Sequence, residues 1–185
     1  AGTRPWNGAG TAVSIALMTA SRAISGLCRP TDGDDRVDRP LPARRDRPSL
    51  VRMDALALEI ETRRDDLIRL TQDLIRIPTL NPPGRHYRDI CDYLAARLAP
   101  QGWECRLIRA EGAPGDCEEF PRWNLVASHD AGRPGECVHF NSHHDVVEVG
   151  NGWTRNPFGG EYVPEEDRIY GRGACDMKGG LAASI

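Results

Sequence analysis

The sequence predicts an α/β fold from the order of its apolar patterns. Two segments with helical spacing come first, several short apolar segments of strand length follow, and a glycine-rich segment near the end opens a further helix. Alternation of this kind is typical of helices packed on a sheet. The chain has 185 residues, 39% apolar and 28% charged. These values fit one ordinary globular domain with a core of its own.

The predicted elements follow one another from residue 54 onwards. The first helix covers residues 54–77 and ends before Pro78. Its apolar face consists of Leu56, Ile60, Leu67, Leu70, Leu74 and Ile77. A rigid Pro- and Gly-containing turn at residues 81–84 precedes a second helix at residues 87–98. The remaining predictions are strands at 103–109, 124–128, 137–142 and 168–170, and a helix that begins at Gly179.

Residues 1–52 differ in composition from the rest of the chain. They carry nine Arg, five Asp and neither Glu nor Lys, and residues 29–48 are rich in Pro, Arg and Asp. Such a segment buries too little apolar surface to fold. We therefore expect residues 1–52 to be disordered or an upstream non-native segment, with Met53 as the initiator and residues 53–185 as the folded part. The weakly apolar residues 10–20 could alternatively belong to a signal peptide or an Arg-rich transit sequence.

Charge and cysteine content exclude several classes of function. The net charge is −3, so no basic field predicts nucleic-acid binding. No apolar run approaches the ~20 residues of a membrane-spanning helix. The six cysteines form no CxxC pair, and the chain is not a short cysteine-dense scaffold. We expect free thiols in a reducing compartment, and hence a cytoplasmic protein.

The first candidate metal site is the sequence His143-His144-Asp145 at the end of a predicted strand. Because alternate residues of a strand point to the same side, His143 and Asp145 are expected to share a pocket while His144 faces away. A carboxylate beside an imidazole suits a metal site, since it fixes the tautomer of the ring. An ordinary histidine beside a turn aspartate gives the same pattern, and both interpretations stay open at this point.

The second candidate is the segment GRGACDMKGG, residues 171–180. Its glycines let the backbone approach another group closely, and Asp176 between them could bind a cation. A phosphate-binding loop is a rival interpretation, although the GxxxxGK[ST] spacing is absent. A tight strand-to-helix turn without any ligand is another. His143 and Asp176, each at a strand end, could meet at the carboxyl edge of one sheet.

Three ordered motifs resemble the di-zinc aminoacylase and carboxypeptidase family, which includes acetylornithine deacetylase, succinyl-diaminopimelate desuccinylase, aminoacylase and glutamate carboxypeptidase. They are an HxDVV strand end, a W-x-x-x-PF loop and GRGxxDMKGG; IPTLNPPG also resembles the family's opening. The resemblance covers residues 53–185. It implies the N-terminal part of a zinc-peptidase-like catalytic domain, with a mixed sheet flanked by helices and without the lid and dimerisation domain. Because the chain stops inside its last predicted helix, we expect a fragment.

The resemblance also implies residue roles. His143 would be a ligand of one zinc, Asp176 would bridge two zincs, and the peptide bond after Asp176 would be cis. Asp145, taken as the catalytic residue, would hydrogen-bond to His143 and raise its basicity. The general-base glutamate and the other ligands would lie outside this chain, because the pairs Glu118-Glu119 and Glu165-Glu166 both precede Asp176.

The implied activity is that of a metal-dependent hydrolase of amino-acid metabolism that cleaves a linear amide with a metal-activated water. An N-acyl amino acid deacylase of the acetylornithine deacetylase or succinyl-diaminopimelate desuccinylase type fits best. A di-zinc carboxypeptidase or dipeptidase, and a non-catalytic metal-binding remnant, remain alternatives. The cofactor would be two Zn²⁺ per intact site, with Co²⁺ or Mn²⁺ as replacements. The partners would be a small N-acyl amino acid or short peptide and, in the intact protein, a second copy, with no nucleic acid and no membrane. The fragment alone is expected to be inactive.

Neighbouring residues have structural interpretations. Trp153, Pro157 and Phe158 are expected to hold the loop between the two metal motifs. Arg172 is expected to brace the glycine-rich turn through hydrogen bonds to carbonyl groups. Lys178, the single lysine of the chain, could hydrogen-bond to loop carbonyls or neutralise a nearby acid.

Overall fold

The computed structural model describes residues 12–18, 50–130, 132 and 137–185. Contacts divide the chain into two units, one of Arg22–Asp66 and one of Ala1–Ser21 with Leu67–Ile185. The Arg- and Asp-rich residues 29–48 lie outside the described part, and so does most of residues 1–52. Within the described part, no helix combines the length and apolar character needed to cross a membrane.

The helices agree with the sequence prediction except at one break. Where one helix was predicted over residues 54–77, the chain forms two, because Arg63 closes a tight turn by donating its N–H to the Ile60 carbonyl oxygen at 3.1 Å. Leu70 and Leu74 of the predicted apolar face are buried, whereas Leu56 before the break is 55% exposed. The helices are α1 (Leu50–Thr62), α2 (Arg64–Arg76), α3 (Tyr87–Leu98) and α4 (Gly179–Ala183).

Helix α3 has the predicted bounds and lies against the sheet. Its buried side chains recur at helical spacing: Tyr87, Ile90, Cys91, Leu94 and Leu98. A short 3₁₀ turn, Ala99–Gln101, follows it and ends at Gly102, whose φ of 84° suits glycine. The helix therefore presents one apolar face to the sheet and delivers the chain directly into the next strand.

The main sheet is mixed, as the resemblance implies, and its order is β2-β3-β1-β4. Strand β1 pairs antiparallel with β3 and parallel with β4, and β2 pairs antiparallel with β3. The sequence analysis predicted no element at β1, within the weakly apolar residues 10–20. This strand lies between β3 and β4, and its register brings Met18 opposite His143. The strands are β1 (Ala12–Met18), β2 (Glu104–Arg109), β3 (Trp123–Asp130) and β4 (Val138–His143).

The unit of Ala1–Ser21 with Leu67–Ile185 also contains a two-stranded sheet and a hydrophobic core. Strand β5 (Glu161–Val163) was not predicted, and it pairs antiparallel with β6 (Arg168–Tyr170). The core joins side chains of α2, α3, β3 and α4: Leu70, Leu74, Ile90, Cys91, Leu94, Leu98, Leu125, Ala127, Leu181 and Ala182. Because α4 contributes to this core, the irregular turn that precedes it is anchored close to the end of β4.

Candidate metal centre

His143 and Asp176 meet at the end of strand β4. The imidazole Nε2 of His143 lies 2.8 Å from Oδ1 of Asp176, although the two residues are 33 positions apart in the chain. The His143 side chain is 30% exposed and that of Asp176 is 86% exposed. The two groups therefore form a polar pair that is open to solvent on the side of the carboxylate.

Asp145 lies on the other side of the same imidazole. His143 Nδ1 is 3.1 Å from the backbone oxygen of Asp145 and 3.2 Å from its Oδ1, and only the backbone contact has hydrogen-bond geometry. Its carboxylate is 7% exposed. His143 and Asp145 thus lie on one side of the chain, as strand alternation predicts. His144 points the opposite way and is fully buried.

The two histidines have opposite electrostatic environments. Partial burial lowers the pKa of His143, but hydrogen bonds with Asp176 and the Asp145 backbone and the charges of both carboxylates outweigh it, so the net pKa is raised. Burial lowers the pKa of His144 to about 4. The surroundings of His143 therefore stabilise a positive charge at Nε2, which a proton or a cation can supply, whereas His144 stays neutral.

The turn that carries Asp176 is irregular and tied down. Residues Ala174–Lys178 include Asp176 and Met177 with extended φ values of −125° and −136°, and the peptide bond between them is cis, as the resemblance implies. The backbone N–H of His143 points to Sδ of Met177 at 3.4 Å. Lys178, which is fully buried, donates Nζ to the carbonyl oxygens of Leu74 and Ile77 at 2.8 and 2.7 Å. The turn is thereby fastened both to β4 and to the carboxyl end of α2.

Arg172 braces the loop that precedes this turn, as predicted. Its Nη2 donates to the Val149 carbonyl oxygen at 3.0 Å, and the Nε1 of Trp153 donates to the same oxygen at 2.5 Å. The guanidinium lies over the Trp153 ring, 5.3 Å from its centroid. The Arg172 backbone N–H donates to the Pro157 carbonyl oxygen at 2.7 Å. These contacts connect the loop after β4 to the glycine-rich segment.

The donor chemistry fits part of a zinc site. Zinc takes four nitrogen, oxygen or sulfur ligands, and an imidazole and a carboxylate are two of the usual donors. Within residues 54–130, 132 and 137–185, no group of three or more His, Cys, Asp or Glu side chains could hold a metal ion. His143 and Asp176 therefore suit a metal only as members of a larger ligand set. Cys175, next to Asp176, is exposed and free.

Sequence reasoning missed three residues that support Asp145. Asn81 and Tyr87 were interpreted as a turn residue and the first residue of a helix, and Arg122 was not singled out. Asn81 Nδ2 and the Tyr87 hydroxyl lie 2.6 and 3.4 Å from Oδ2 of Asp145. Arg122 contacts both of them. Their separation along the chain leaves no local pattern that could have identified them.

Comparison with known proteins finds a family match over the last part of the chain. Residues 139–185, which include all three predicted site residues, match Peptidase family M20/M25/M40. The resemblance inferred from the motifs is thus confirmed: the chain is homologous to the M20/M25/M40 peptidases, which are metal-dependent hydrolases, over this segment.

Three relatives that match a longer part of the chain carry the same name. The chain is 37% identical over 124 residues to a protein of Cereibacter sphaeroides named succinyl-diaminopimelate desuccinylase. It is 39% identical over 123 residues to a protein of the same name from Methylobacterium radiotolerans, and 37% identical over 122 residues to one from Ruegeria pomeroyi. These matches cover 65% of the chain but 28% of each relative. The chain thus spans less than a third of the length of these relatives.

Proposed function

We propose that this chain supplies the first ligands of a metal-dependent amidohydrolase that cleaves a linear amide of an N-acyl amino acid. Residues 53–185 would form the N-terminal portion of the catalytic domain, with the lid and dimerisation domain elsewhere in the intact protein. The observation that carries the proposal is the convergence of His143 and Asp176 at 2.8 Å with the buried Asp145 behind the imidazole. A carboxylate behind a ligating histidine is the arrangement that orients metal ligands.

Each of the three residues has a defined task in this proposal. His143 must offer the Nε2 lone pair, which requires its ring proton on Nδ1, where the Asp145 backbone oxygen lies 3.1 Å away. Asp145 keeps that ring basic through its nearby charge. Asp176 is free at its outer oxygen to reach a second ion, since its side chain is 86% exposed. The bound zinc ions would polarise the amide carbonyl and bring the pKa of a bound water toward ~7.

The names of the relatives, which specify removal of the succinyl group from succinyl-diaminopimelate, support a substrate class. The proposed substrate is an N-succinyl amino acid or, as the motif resemblance implies, an N-acetyl amino acid, with Zn²⁺ as the metal and Co²⁺ or Mn²⁺ as replacements. The proposed compartment is the cytoplasm. The described cysteines are all free thiols, in keeping with a reducing environment: Cys91, Cys105, Cys117, Cys137 and Cys175.

The metal part of the proposal is tested on the full product of the gene by titration with Co²⁺ and Zn²⁺, followed by calorimetry and by the visible spectrum of Co²⁺. His143→Ala and Asp176→Ala are expected to abolish binding. The matched controls His139→Ala and Glu111→Ala remove an exposed histidine and an exposed carboxylate away from the site and should bind like the unchanged chain. Equal binding by His143→Ala and the unchanged chain would refute the assignment.

The reaction is tested on the full product of the gene, loaded with zinc. N-succinyl and N-acetyl amino acids and a set of dipeptides are incubated with it, and the released primary amine is measured. Faster release from the N-acyl amino acids supports the deacylase. Faster release from dipeptides favours the peptidase alternative, and metal binding without release from either class indicates a non-catalytic metal-binding protein.

A further inference from the structure

Arg122, directly before β3, carries a buried guanidinium that forms no ion pair with a carboxylate among the described residues. It is 6% exposed. Its Nη1 donates to Oδ1 of Asn81 at 3.1 Å and to the Tyr87 hydroxyl at 3.0 Å, and its guanidinium lies 5.2 Å from the centroid of the Tyr87 ring. A buried charge is costly unless other groups compensate it, so the position of its counter-charge decides what it does.

The counter-charge is Asp145, one hydrogen bond further on. Asn81 Oδ1 and the Tyr87 hydroxyl oxygen both accept from Arg122. On their other side, Asn81 Nδ2 and the same hydroxyl lie within reach of one carboxylate oxygen, Oδ2 of Asp145. Arginine can only donate, so the single hydroxyl proton of Tyr87 is left for Asp145, and the amide of Asn81 must turn its NH₂ towards Asp145. The direction of every bond in this relay is therefore fixed from the cation to the anion.

The relay also determines which way the carboxylate faces. With Oδ2 held by Asn81 and Tyr87, Oδ1 is the oxygen that lies 3.2 Å from His143 Nδ1. The hydroxyl of Tyr87 stays protonated, since burial and the charge of Asp145 raise its pKa. Asp145 is thereby oriented from behind by neutral groups that Arg122 polarises.

Two loops are shaped around the guanidinium. Gly84 and Gly115 have φ values of +111° and +80°, and a Cβ on either would overlap with it; at Gly84 the distance to Nη1 would be 2.6 Å. The Arg122 backbone N–H is held as well, by Oδ1 of Asp116 at 3.0 Å. Both the side chain and the backbone of Arg122 are thus held in place, unlike those of an ordinary surface arginine.

We propose that Arg122 is a positioning residue, which acts through Asn81 and Tyr87 on the Asp145 carboxylate and so determines how the charge of Oδ1 faces the His143 ring. The inference rests on the proposed function only where it expects this orientation to strengthen metal binding by His143. The arrangement of Arg122, Tyr87 and Asp145 itself can be tested with or without a metal.

The first test is a double-mutant cycle on metal affinity, measured by calorimetry with Zn²⁺. Arg122→Met is expected to weaken binding about 10–100-fold, the usual effect of a group that orients a ligand. In the Asp145→Asn background the same substitution is expected to change affinity less than about twofold, because residues that act through one another are not additive. Equal losses in both backgrounds would overturn the proposal in favour of a general structural role.

The second test needs no metal and uses the ¹⁵N shifts of the His143 ring in the metal-free chain. Arg122→Met and Asp145→Asn are expected to shift them in the same direction, and Tyr87→Phe, which keeps the ring packing, to shift them part of the way. Wild-type shifts in Tyr87→Phe and Arg122→Met would contradict the relay. Should Arg122→Met fail to fold by circular dichroism, Tyr87→Phe decides both tests.

A matched control separates the relay from arginine–aromatic packing in general. Arg88 lies 4.6 Å from the Trp123 ring centroid and pairs with Asp92, outside the relay. Arg88→Met should leave both the metal affinity and the His143 shifts unchanged, and an effect as large as that of Arg122→Met would overturn the proposal. If the full product of the gene binds no metal but the ¹⁵N shifts respond as expected, the relay stands and the proposed function fails.

Discussion

His144 should make the stability of the protein depend on pH, although it lies next to the candidate ligand. It is fully buried, packs edge-to-face on Tyr87 at 4.8 Å, and its Nε2 lies 3.1 Å from the Trp123 carbonyl oxygen. Since a carbonyl only accepts, Nε2 carries the proton. The other nitrogen, Nδ1, is buried without a hydrogen-bond partner. A second proton there would be a charged donor with no acceptor.

The size and sign of the effect follow from this environment. Burial lowers the pKa of His144 from 6.5 to about 4 in the folded protein. Between these two values the unfolded chain binds a proton that the folded chain does not, so stability falls as the pH falls. At ~1.4 kcal/mol per pKa unit, the folded state loses about 3 kcal/mol between pH 7 and pH 4.

Urea unfolding at a series of pH values measures this loss, with His144→Gln as the comparison. Glutamine can donate to the Trp123 carbonyl but does not titrate, so its free energy of unfolding should fall less, with a difference that changes by about 3 kcal/mol over the interval. His139→Gln, which removes an exposed histidine, should keep the wild-type slope. At pH 7 His144→Gln should also keep its metal affinity. Parallel curves for wild type and His144→Gln would refute the reasoning.

Three further substitutions test the surroundings of the site. Asp145→Asn should keep the fold but weaken Zn²⁺ binding about 10–100-fold in calorimetry, because the amide carries no charge for His143; unchanged affinity would contradict its orienting role. Gly173→Ala, at φ +81°, places its new Cβ against Val146 and should weaken Co²⁺ binding and lower the midpoint of thermal unfolding. Gly112→Ala, at φ +71°, has open space around its new Cβ. It should therefore lose only the ~1–2 kcal/mol of the unfavourable backbone conformation and keep its Co²⁺ spectrum. Leu94→Ala should lower the free energy of unfolding by about 2–5 kcal/mol in urea, since Leu94 is fully buried in the core, and a loss below ~1 kcal/mol would mean that the core relaxes around the cavity.

Local patterns were sufficient for the elements that bury one face. Helix α3 has the predicted bounds because its apolar residues keep helical spacing and Pro100 follows soon after it. The alternation that separates His143 and Asp145 from His144 is equally local, since it depends only on the extended backbone at the end of β4. These features needed no knowledge of the rest of the chain.

Long-range pairing was not predictable in the same way. Strand β1 lies between β3 and β4, which follow each other in the chain, and no periodicity in residues 10–20 indicates which partners they take. Strand β5 is only three residues long and depends on its pairing with β6. Arg122 was missed for a related reason: an arginine in a sequence looks like a surface residue, and only the packing of two glycine loops around it shows that it is buried.

The end of α2 and the segment that links it to α3 hold both halves of the candidate site. The carbonyl oxygens of Leu74 and Ile77 accept from Lys178, and this fixes the turn that carries Asp176. The Thr79 hydroxyl donates to the His144 carbonyl oxygen at 2.5 Å, and the Thr79 backbone oxygen accepts from the Val146 N–H at 2.8 Å.

Asn81 then binds the Asp145 carboxylate at 2.6 Å. The loop after β4 and the glycine-rich turn are thus both fastened to the same eight residues, 74–81, in addition to their contacts with each other. This common frame explains how an exposed carboxylate and a half-buried imidazole, 33 residues apart, can be held at 2.8 Å. It also makes the sequence IPTLNPPG part of the site's construction, although none of its residues is a candidate ligand.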